Sequence, residues 1–383
     1  MISSKEISTA TSRSTNRMNS SNNFSLTKSK IYVAGHRGLA GSAIVRRLQR
    51  DGCQSIITMT RGELDLRDQG AVDIFFRDVR PDYVFLAAAK VGGILANNIY
   101  PADFIQENLA IQQNTIGAAW RSGVKRLLFL GSSCIYPRNC PQPMREEYML
   151  TGRLEATNRP YAVAKIAGIE TCWALNRQYG TQFISAMPTN LYGPNDNYDL
   201  STSHVLPALL RKMHEAKISG APKVSIWGTG SVRREFLHSD DMADACVYLM
   251  NLPDEKYESI VRSDIQPPLV NVGCGTDVTV RELAELIREV VGFQGQLVFD
   301  HSKPDGTPRK LLDVSRMYQL GWGASISLRE GLRALYTDYC KLSLPTRGCL
   351  AEEGTYGADS TVGERQQQHQ IEPDHSPSSQ PTI

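Results

Sequence analysis

Residues 30–50 read Lys-Ile-Tyr-Val-Ala-Gly-His-Arg-Gly-Leu-Ala-Gly-Ser-Ala-Ile-Val-Arg-Arg-Leu-Gln-Arg, and this stretch decides the fold. Residues 30–34 are a short β-branched and aromatic run, which predicts a strand. Residues 42–50 carry apolar side chains at helical spacing. Between them stand Gly35, Gly38 and Gly41, a G-x-x-G-x-x-G turn. Glycines at these positions allow a tight turn and let backbone approach a pyrophosphate. The helix that follows offers unbonded N–H groups and the positive end of its dipole. A glycine triplet alone is weak, but between a strand and a helix it marks a dinucleotide-binding βαβ unit.

Outward from this unit, strands and helices alternate. Residues 55–59 read as a second strand, 72–77 as a helix and 83–88 as a strand buried on both faces. A long helix over 105–122 and another buried strand over 126–131 follow. The alternation predicts an α/β fold: a doubly wound parallel sheet of Rossmann type, with a smaller C-terminal α/β substrate domain. The expected division is a disordered extension over 1–28, a dinucleotide-binding domain over 29–195, a mainly substrate-binding part over 196–344 and a disordered tail over 345–383. The chain is expected to return to the sheet near 236–252 and 269–272. The tail is polar, then rich in Pro and Ser, with too little apolar surface to offset its ordering entropy.

Composition narrows the function classes. A formal net charge of +2 over 383 residues gives no field that favours nucleic acid or an anionic membrane. No apolar run approaches the ~20 residues that span a bilayer. The eight cysteines show no C-x-x-C pair and no zinc-like Cys/His spacing, so no metal is expected and a reduced, cytoplasmic compartment is the simplest reading. The N-terminal segment lacks a secretory apolar run; acid-poor and mildly basic, it also has the composition of a transit peptide.

The cofactor is partly legible. After the second strand an NAD enzyme usually carries an acid for the ribose hydroxyls. Here the strand ends Thr58-Met59-Thr60-Arg61, and the loop supplies Arg37. Two guanidinium groups suit a 2′-phosphate and favour NADP(H); Glu63 is the competing acid, and Asp65 is expected near the adenine. Tyr161 and Lys165 stand four apart in Tyr-Ala-Val-Ala-Lys, one helical face. An ammonium beside a phenol favours the phenolate and lowers its pKa, as proton exchange near neutrality requires. Ser132, at the end of the strand over 126–131, is placed to hydrogen-bond a substrate carbonyl.

With these residues the chain resembles the extended short-chain dehydrogenase/reductase family, whose Ser, Tyr and Lys triad is matched by Ser132, Tyr161 and Lys165. Over about residues 30–339 it is most similar to the branch that turns a GDP-4-keto-6-deoxy sugar into a GDP-6-deoxy sugar. The resemblance rests on Gly-His-Arg-Gly at 35–38, Ala-Ala-Ala-Lys-Val-Gly-Gly-Ile at 87–94 and Ser-Ser-Cys-Ile-Tyr-Pro at 132–137. It continues with Pro-Thr-Asn-Leu-Tyr-Gly-Pro at 188–194, Ser-His-Val at 203–205, Arg-Glu-Phe-Leu-His at 234–238 and Lys-Pro-Asp-Gly-Thr-Pro-Arg-Lys at 303–310. It implies 3,5-epimerisation of GDP-4-keto-6-deoxy-D-mannose, with Cys134 as base and His204 returning protons, followed by NADPH-dependent reduction at C4. It also implies cofactor contacts from Ala88, Pro188, Asn190, Leu191 and His204, substrate contacts from Lys212, Trp227, Arg234 and Lys303, and a homodimer built on two long helices. The family often has Arg at position 212 and sometimes His at 195, where this chain has Lys212 and Asn195. Two rivals remain at this stage. The first is another nucleotide-sugar epimerase or reductase of the family: a 4,6-dehydratase would carry Asp-Glu in place of Ser133-Cys134, and a 4-epimerase would recycle tightly bound NAD, where Arg37 and Arg61 argue for exchangeable NADPH. A non-catalytic NADP(H)-binding protein would typically lose Tyr161 or Lys165.

Overall fold

The computed structural model describes residues 26–343 apart from Ser201 and Pro304. The C-terminal tail and nearly all of the N-terminal extension lie outside the described residues. Leu26–Lys28, within the expected extension, form a 3₁₀ turn whose leucine is buried in the core. A single leucine among polar residues has no periodicity, so the sequence did not mark it.

The first half runs β1 (Lys30–Ala34), α1 (Leu39–Arg50), β2 (Ser55–Ile57), α2 (Gln69–Val79), β3 (Tyr83–Leu86), α3 (Ile94–Ile99), α4 (Pro101–Arg121), β4 (Arg126–Leu130), α5 (Arg159–Tyr179) and β5 (Phe183–Pro188). Then come β6 (Asn190–Tyr192), α6 (Val205–Ser219), β7 (Lys223–Trp227), β8 (Arg233–Arg234), β9 (Phe236–His238), α7 (Ser239–Met250), α8 (Asp254–Val261) and β10 (Leu269–Val272). The described chain closes with β11 (Val278–Thr279), α9 (Val280–Val291), β12 (Gln296–Asp300), β13 (Arg309–Lys310), α10 (Ser315–Leu320) and α11 (Leu328–Ser343).

Six strands form one parallel sheet in the order β10-β5-β4-β3-β1-β2. Every residue of β3, β4 and β5 is buried, as expected where helices cover both faces of a sheet. One face packs Ile31, Val33 and Ile44 against Met242 and Met250; the other packs Tyr32 and Phe76 with Ile116 and Ile169. A third cluster joins α6, α9 and β7 through Leu210, Ile287 and Ile226. Short pairings complete the topology: β7 with β12, β6 with β9, and β8 between β11 and β13.

The second strand ends at Ile57, two residues before the expected end, because Thr60 closes a turn with Glu63. The Glu63 backbone N–H donates to the Thr60 carbonyl at 3.1 Å, and the Thr60 N–H donates to the Glu63 carboxylate at 2.7 Å. Of the segment expected to return near 236–252, β9 pairs with β6 while α7 packs against α1. The outer strand beside β5 is β10.

Arg126, at the start of β4, is fully buried. Its guanidinium donates to the carbonyls of Met250 and Leu252 at 2.9 and 2.8 Å and to Asp254 at 2.6 Å, and lies 3.9 Å over the Tyr257 ring. Arg126→Met strands two buried carbonyls, each costing about 1–3 kcal/mol, while Asp254 is exposed enough to regain water. The expected loss is about 3 kcal/mol of unfolding free energy, read from a urea titration of the variant against the parent.

Candidate active site

The strand order reverses between β1 and β3, and ligands of open α/β sheets bind beyond the carboxyl ends of strands at such a point. The turn after β1 lies there. Gly35 has φ +85°, and a Cβ on it would stand 2.8 Å from the backbone nitrogen of Ala88, just past β3. A Cβ on Gly41, in the first turn of α1, would stand 2.1 Å from the Gly35 carbonyl oxygen. Gly38 caps α1 with extended backbone and no side-chain bond, which leaves the first helical N–H groups free for an anion. The turn is thus drawn tightly across the helix N-terminus, the shape a pyrophosphate needs. Gly41→Ala must push the turn open and is expected to weaken dinucleotide binding at least about tenfold in calorimetric titration.

Arg37 is exposed and makes no ion pair among the described residues. Arg61 is 67% exposed and only 3.8 Å from both Asp65 and Glu107. Two weakly committed guanidinium groups at the edge of the turn fit a terminal phosphate. Asp65 is held by both its oxygens to Arg67, which keeps its carboxyl near the bottom of the carboxylate range, at about 2. Glu63 is bound back to Thr60, so it does not reach out as a free acid.

Beyond β4, Ser132 caps a one-turn 3₁₀ helix, its hydroxyl accepting the Cys134 backbone N–H at 3.4 Å. The Ser132 hydroxyl is also near enough to favour the charged forms of the Cys134 thiol and the Tyr161 phenol. Cys134 is buried; burial pushes its thiol up, while Ser132, Lys310 and Lys165 pull it down. The Lys165 ammonium donates to the Leu130 carbonyl at 2.7 Å and lies 5.8 Å from the Tyr161 ring centre. Burial brings it down to about 8, opposed by the field of Cys134. The expectation that the ammonium depresses the tyrosine meets a correction. Burial dominates and raises the Tyr161 pKa, the neighbouring Cys134 adds to the rise, and the opposing pull comes from Ser132. The ammonium donates to a backbone carbonyl and not to the phenol oxygen.

His204 occupies the N-cap of α6 without making a capping bond. Burial by the surrounding protein and the Lys310 ammonium both hold its pKa down. The backbone just before it is seated on the turn after β3: the Gly93 N–H donates to the Thr202 carbonyl at 3.1 Å, and a Cβ on Gly93 would press on Ser203 at 3.2 Å. Asn195, with φ +67°, donates to the Ser42 hydroxyl at 3.0 Å and so ties the same loop to α1. Pro188 ends β5, Leu191 lies half-buried in β6, and Asn190 donates to the Glu235 carbonyl at 2.8 Å.

Trp227 is 60% exposed at the end of β7, with the ammonium groups of Lys212 and Lys303 5.9 and 5.6 Å from its ring centre. Arg234 is half-buried on β8 and makes no ion pair among the described residues. An aromatic face flanked by cations, with a further guanidinium nearby in the chain, suits a nucleoside diphosphate. Two residues that the sequence reading left out belong with this site. Buried Glu235 accepts backbone N–H groups from Gly275 at 2.7 Å and Leu312 at 2.9 Å, which fixes β8 against the segment after β13. Lys310 sends its field onto Cys134 and His204. Its only sequence signal was membership of the motif at 303–310.

Of the surface grooves, one of about 590 Å³ runs beside the segment after Cys134, from Pro137 to Pro141 and Thr151 to Ala156. A larger one, about 820 Å³ along α9, is lined by paired charges and by none of these groups.

Comparison with known proteins agrees with this geometry. The sequence model of the NAD dependent epimerase/dehydratase family matches residues 31–263. GDP-L-fucose synthase 1 of Arabidopsis thaliana is 58% identical, covering 82% of this chain and 93% of the relative. GDP-L-fucose synthase of Escherichia coli (strain K12) is 56% identical, covering 81% and 96%. Among solved structures, a GDP-mannoheptose C4 reductase from Campylobacter jejuni with NADP bound is 43% identical, with TM-score 0.75 over 82% of this chain and 99% of that one. The chain therefore belongs to the NAD dependent epimerase/dehydratase family, in its GDP-L-fucose synthase branch.

Proposed function

We propose that the protein converts GDP-4-keto-6-deoxy-D-mannose to GDP-L-fucose, by epimerisation at C3 and C5 followed by NADPH-dependent reduction at C4. The observation that carries this reading is the convergence of Ser132, Cys134, Tyr161 and Lys165 beyond β4, on a fold whose relatives are GDP-L-fucose synthases.

The C4 ketone acidifies the hydrogens at C3 and C5. Cys134, as thiolate, removes them, and His204 returns protons from the opposite face. A histidine with a depressed pKa is neutral at pH 7, and once protonated from solvent it gives the proton up readily. Ser132 hydrogen-bonds the C4 oxygen, which gains negative charge in both stages. Tyr161, kept as a phenol by burial, donates the proton that the oxygen takes on reduction. Lys165 has two N–H donors left beyond its bond to Leu130, enough to hold a ribose. NADPH, when bound, supplies the hydride for C4. Gly35, Gly38 and Gly41 would hold its pyrophosphate, Arg37 and Arg61 its 2′-phosphate and Asp65 its adenine, and Ala88, Pro188, Asn190, Leu191 and His204 would contact the rest. Lys212, Trp227, Arg234 and Lys303 hold the GDP moiety.

Residues 29–195, with 236–252 and 269–272, serve the cofactor, and 196–344 mainly the substrate. Two copies pair through α4 and α5, which pack along one another and end in a stacked Trp120–Tyr179 pair at 4.3 Å. The reaction takes place in the cytoplasm; among the described residues no helix is long and apolar enough to cross a membrane.

The test is NADPH oxidation with GDP-4-keto-6-deoxy-D-mannose in D₂O, with the sugar product identified by NMR. GDP-L-fucose labelled at C3 and C5 is expected. Reduction without exchange would make the protein a C4 reductase only, and no NADPH oxidation would remove the substrate assignment.

A further inference from the structure

Two consecutive residues of β4 hold Lys165. Its ammonium donates to the Leu130 carbonyl at 2.7 Å and stands over the Phe129 ring, 4.7 Å from the centroid. The triad of Ser132, Tyr161 and Lys165 gives this ring no task. Phe129 is fully buried and fixed from both sides, since β4 sets it opposite Leu86 on β3 and Ser185 on β5. The facing helix makes room for it: a Cβ on Gly168 would stand 2.6 Å from two carbons of the ring edge. Glycine within a 21-residue helix is disfavoured unless packing calls for it, and here bare backbone lets α5 close on the ring. Gly168 follows Lys165 by three residues, so the two share the face of α5 that meets β4.

Lys165 is only 3% exposed, and burial works against its charged form. The titratable groups around it are Cys134, from the turn after β4, and Tyr161, one turn earlier on α5 with its ring centre 5.8 Å away. Among the described residues no carboxylate faces it. A buried lysine is normally paired with one. The aromatic face takes that place, and its attraction for a cation is strongest where water is excluded.

We propose that Phe129 is the positioning residue for Lys165: its ring face, set by β4 and given room by Gly168, keeps the lysine an ammonium at the place where it meets the cofactor ribose. The inference rests on the reading of Lys165 as the ribose contact, and not on which sugar is the substrate. The two holds divide the work. The Leu130 carbonyl takes one N–H and sets the direction of the side chain. The ring attracts the charge as a whole and takes up no N–H, so the other donors stay available for the ribose.

The test is NADPH affinity, measured by fluorescence titration from pH 6.5 to 10 without sugar. It compares the full-length parent, Phe129→Leu and a form carrying 2,6-difluorophenylalanine at position 129. An ammonium is present below its midpoint and lost above it, so affinity should fall as pH rises through that midpoint. Lys165→Met, which should show no such fall, assigns the midpoint to Lys165. Leucine is apolar but offers no ring face, and its midpoint is expected about one pH unit below that of the parent. The fluorinated ring keeps the shape of phenylalanine and adds no atom at the edge that meets Gly168, yet its face attracts a cation less. It should lower the midpoint in the same direction by a smaller step, and it decides the question even if Phe129→Leu does not fold. A midpoint that the fluorinated ring leaves at the parent's value overturns the proposal and makes any shift in Phe129→Leu a packing effect. A parent with no midpoint that depends on Lys165 would instead remove the ribose contact given to that residue, and the task of the ring with it.

Discussion

Tyr161→Phe is expected to slow NADPH oxidation by about 10²–10⁴-fold, the usual contribution of a positioned general acid, with little change in affinity for cofactor or substrate. The phenol is the group that burial keeps protonated beside Ser132, and phenylalanine fills the same space without the proton. Its ring still meets the Phe104 edge at 6.2 Å, so the helix should pack as before. Stopped-flow absorbance at saturating substrate separates kcat from KM. The pH profile of the parent should fall on its alkaline side. Lys165 is brought down to about 8, so its ammonium is present below that pH and lost as pH rises through it. The loss removes the cation that holds the ribose. A reduction rate that stays flat from pH 7 to 10 would refute the role given to Lys165.

Cys134→Ala is expected to reduce C3/C5 exchange by a similar 10²–10⁴-fold while leaving reduction of an already epimerised substrate largely intact. Burial raises the Cys134 thiol, so its thiolate fraction is small at neutral pH and increases as pH rises. The two half-reactions should therefore respond to alkali in opposite directions, exchange rising where reduction falls. NMR in D₂O across pH 6 to 9 measures both in one sample. Undiminished exchange in the alanine variant would move the base elsewhere.

Much of the candidate site is legible because its geometry is local. The glycine spacing at 35, 38 and 41 sets which backbone atoms meet at the head of α1, and the structure shows Gly41 closing on the Gly35 carbonyl. Tyr161 and Lys165 share a face because a helix of any tertiary setting puts residues four apart together. The apolar runs of β3 and β4 state directly that both sheet faces are covered, whereas β5, with Ser185 and Pro188 in it, is equally buried but carries no such run. Strand ends were less legible. Thr58 and Met59 have strand-like side chains, and only the turn between Thr60 and Glu63 takes them out of the sheet.

By itself, then, the sequence determined the parallel α/β sheet, the phosphate turn and the Tyr–Lys pair, since each depends on spacings within a few residues. The tertiary structure alone decided the charge states around that pair. Burial raises the Tyr161 pKa, and burial is set by packing that the four-residue spacing does not reveal; the Lys165 ammonium meanwhile donates to the Leu130 carbonyl. It also decided that Asn195 reaches Ser42, that Lys212 and Lys303 flank one Trp227 ring, and that Leu311 bonds the Gln142 side chain. These are meetings of residues far apart in the chain, and their energies come from burial and from fields that exist only once the intervening elements have packed.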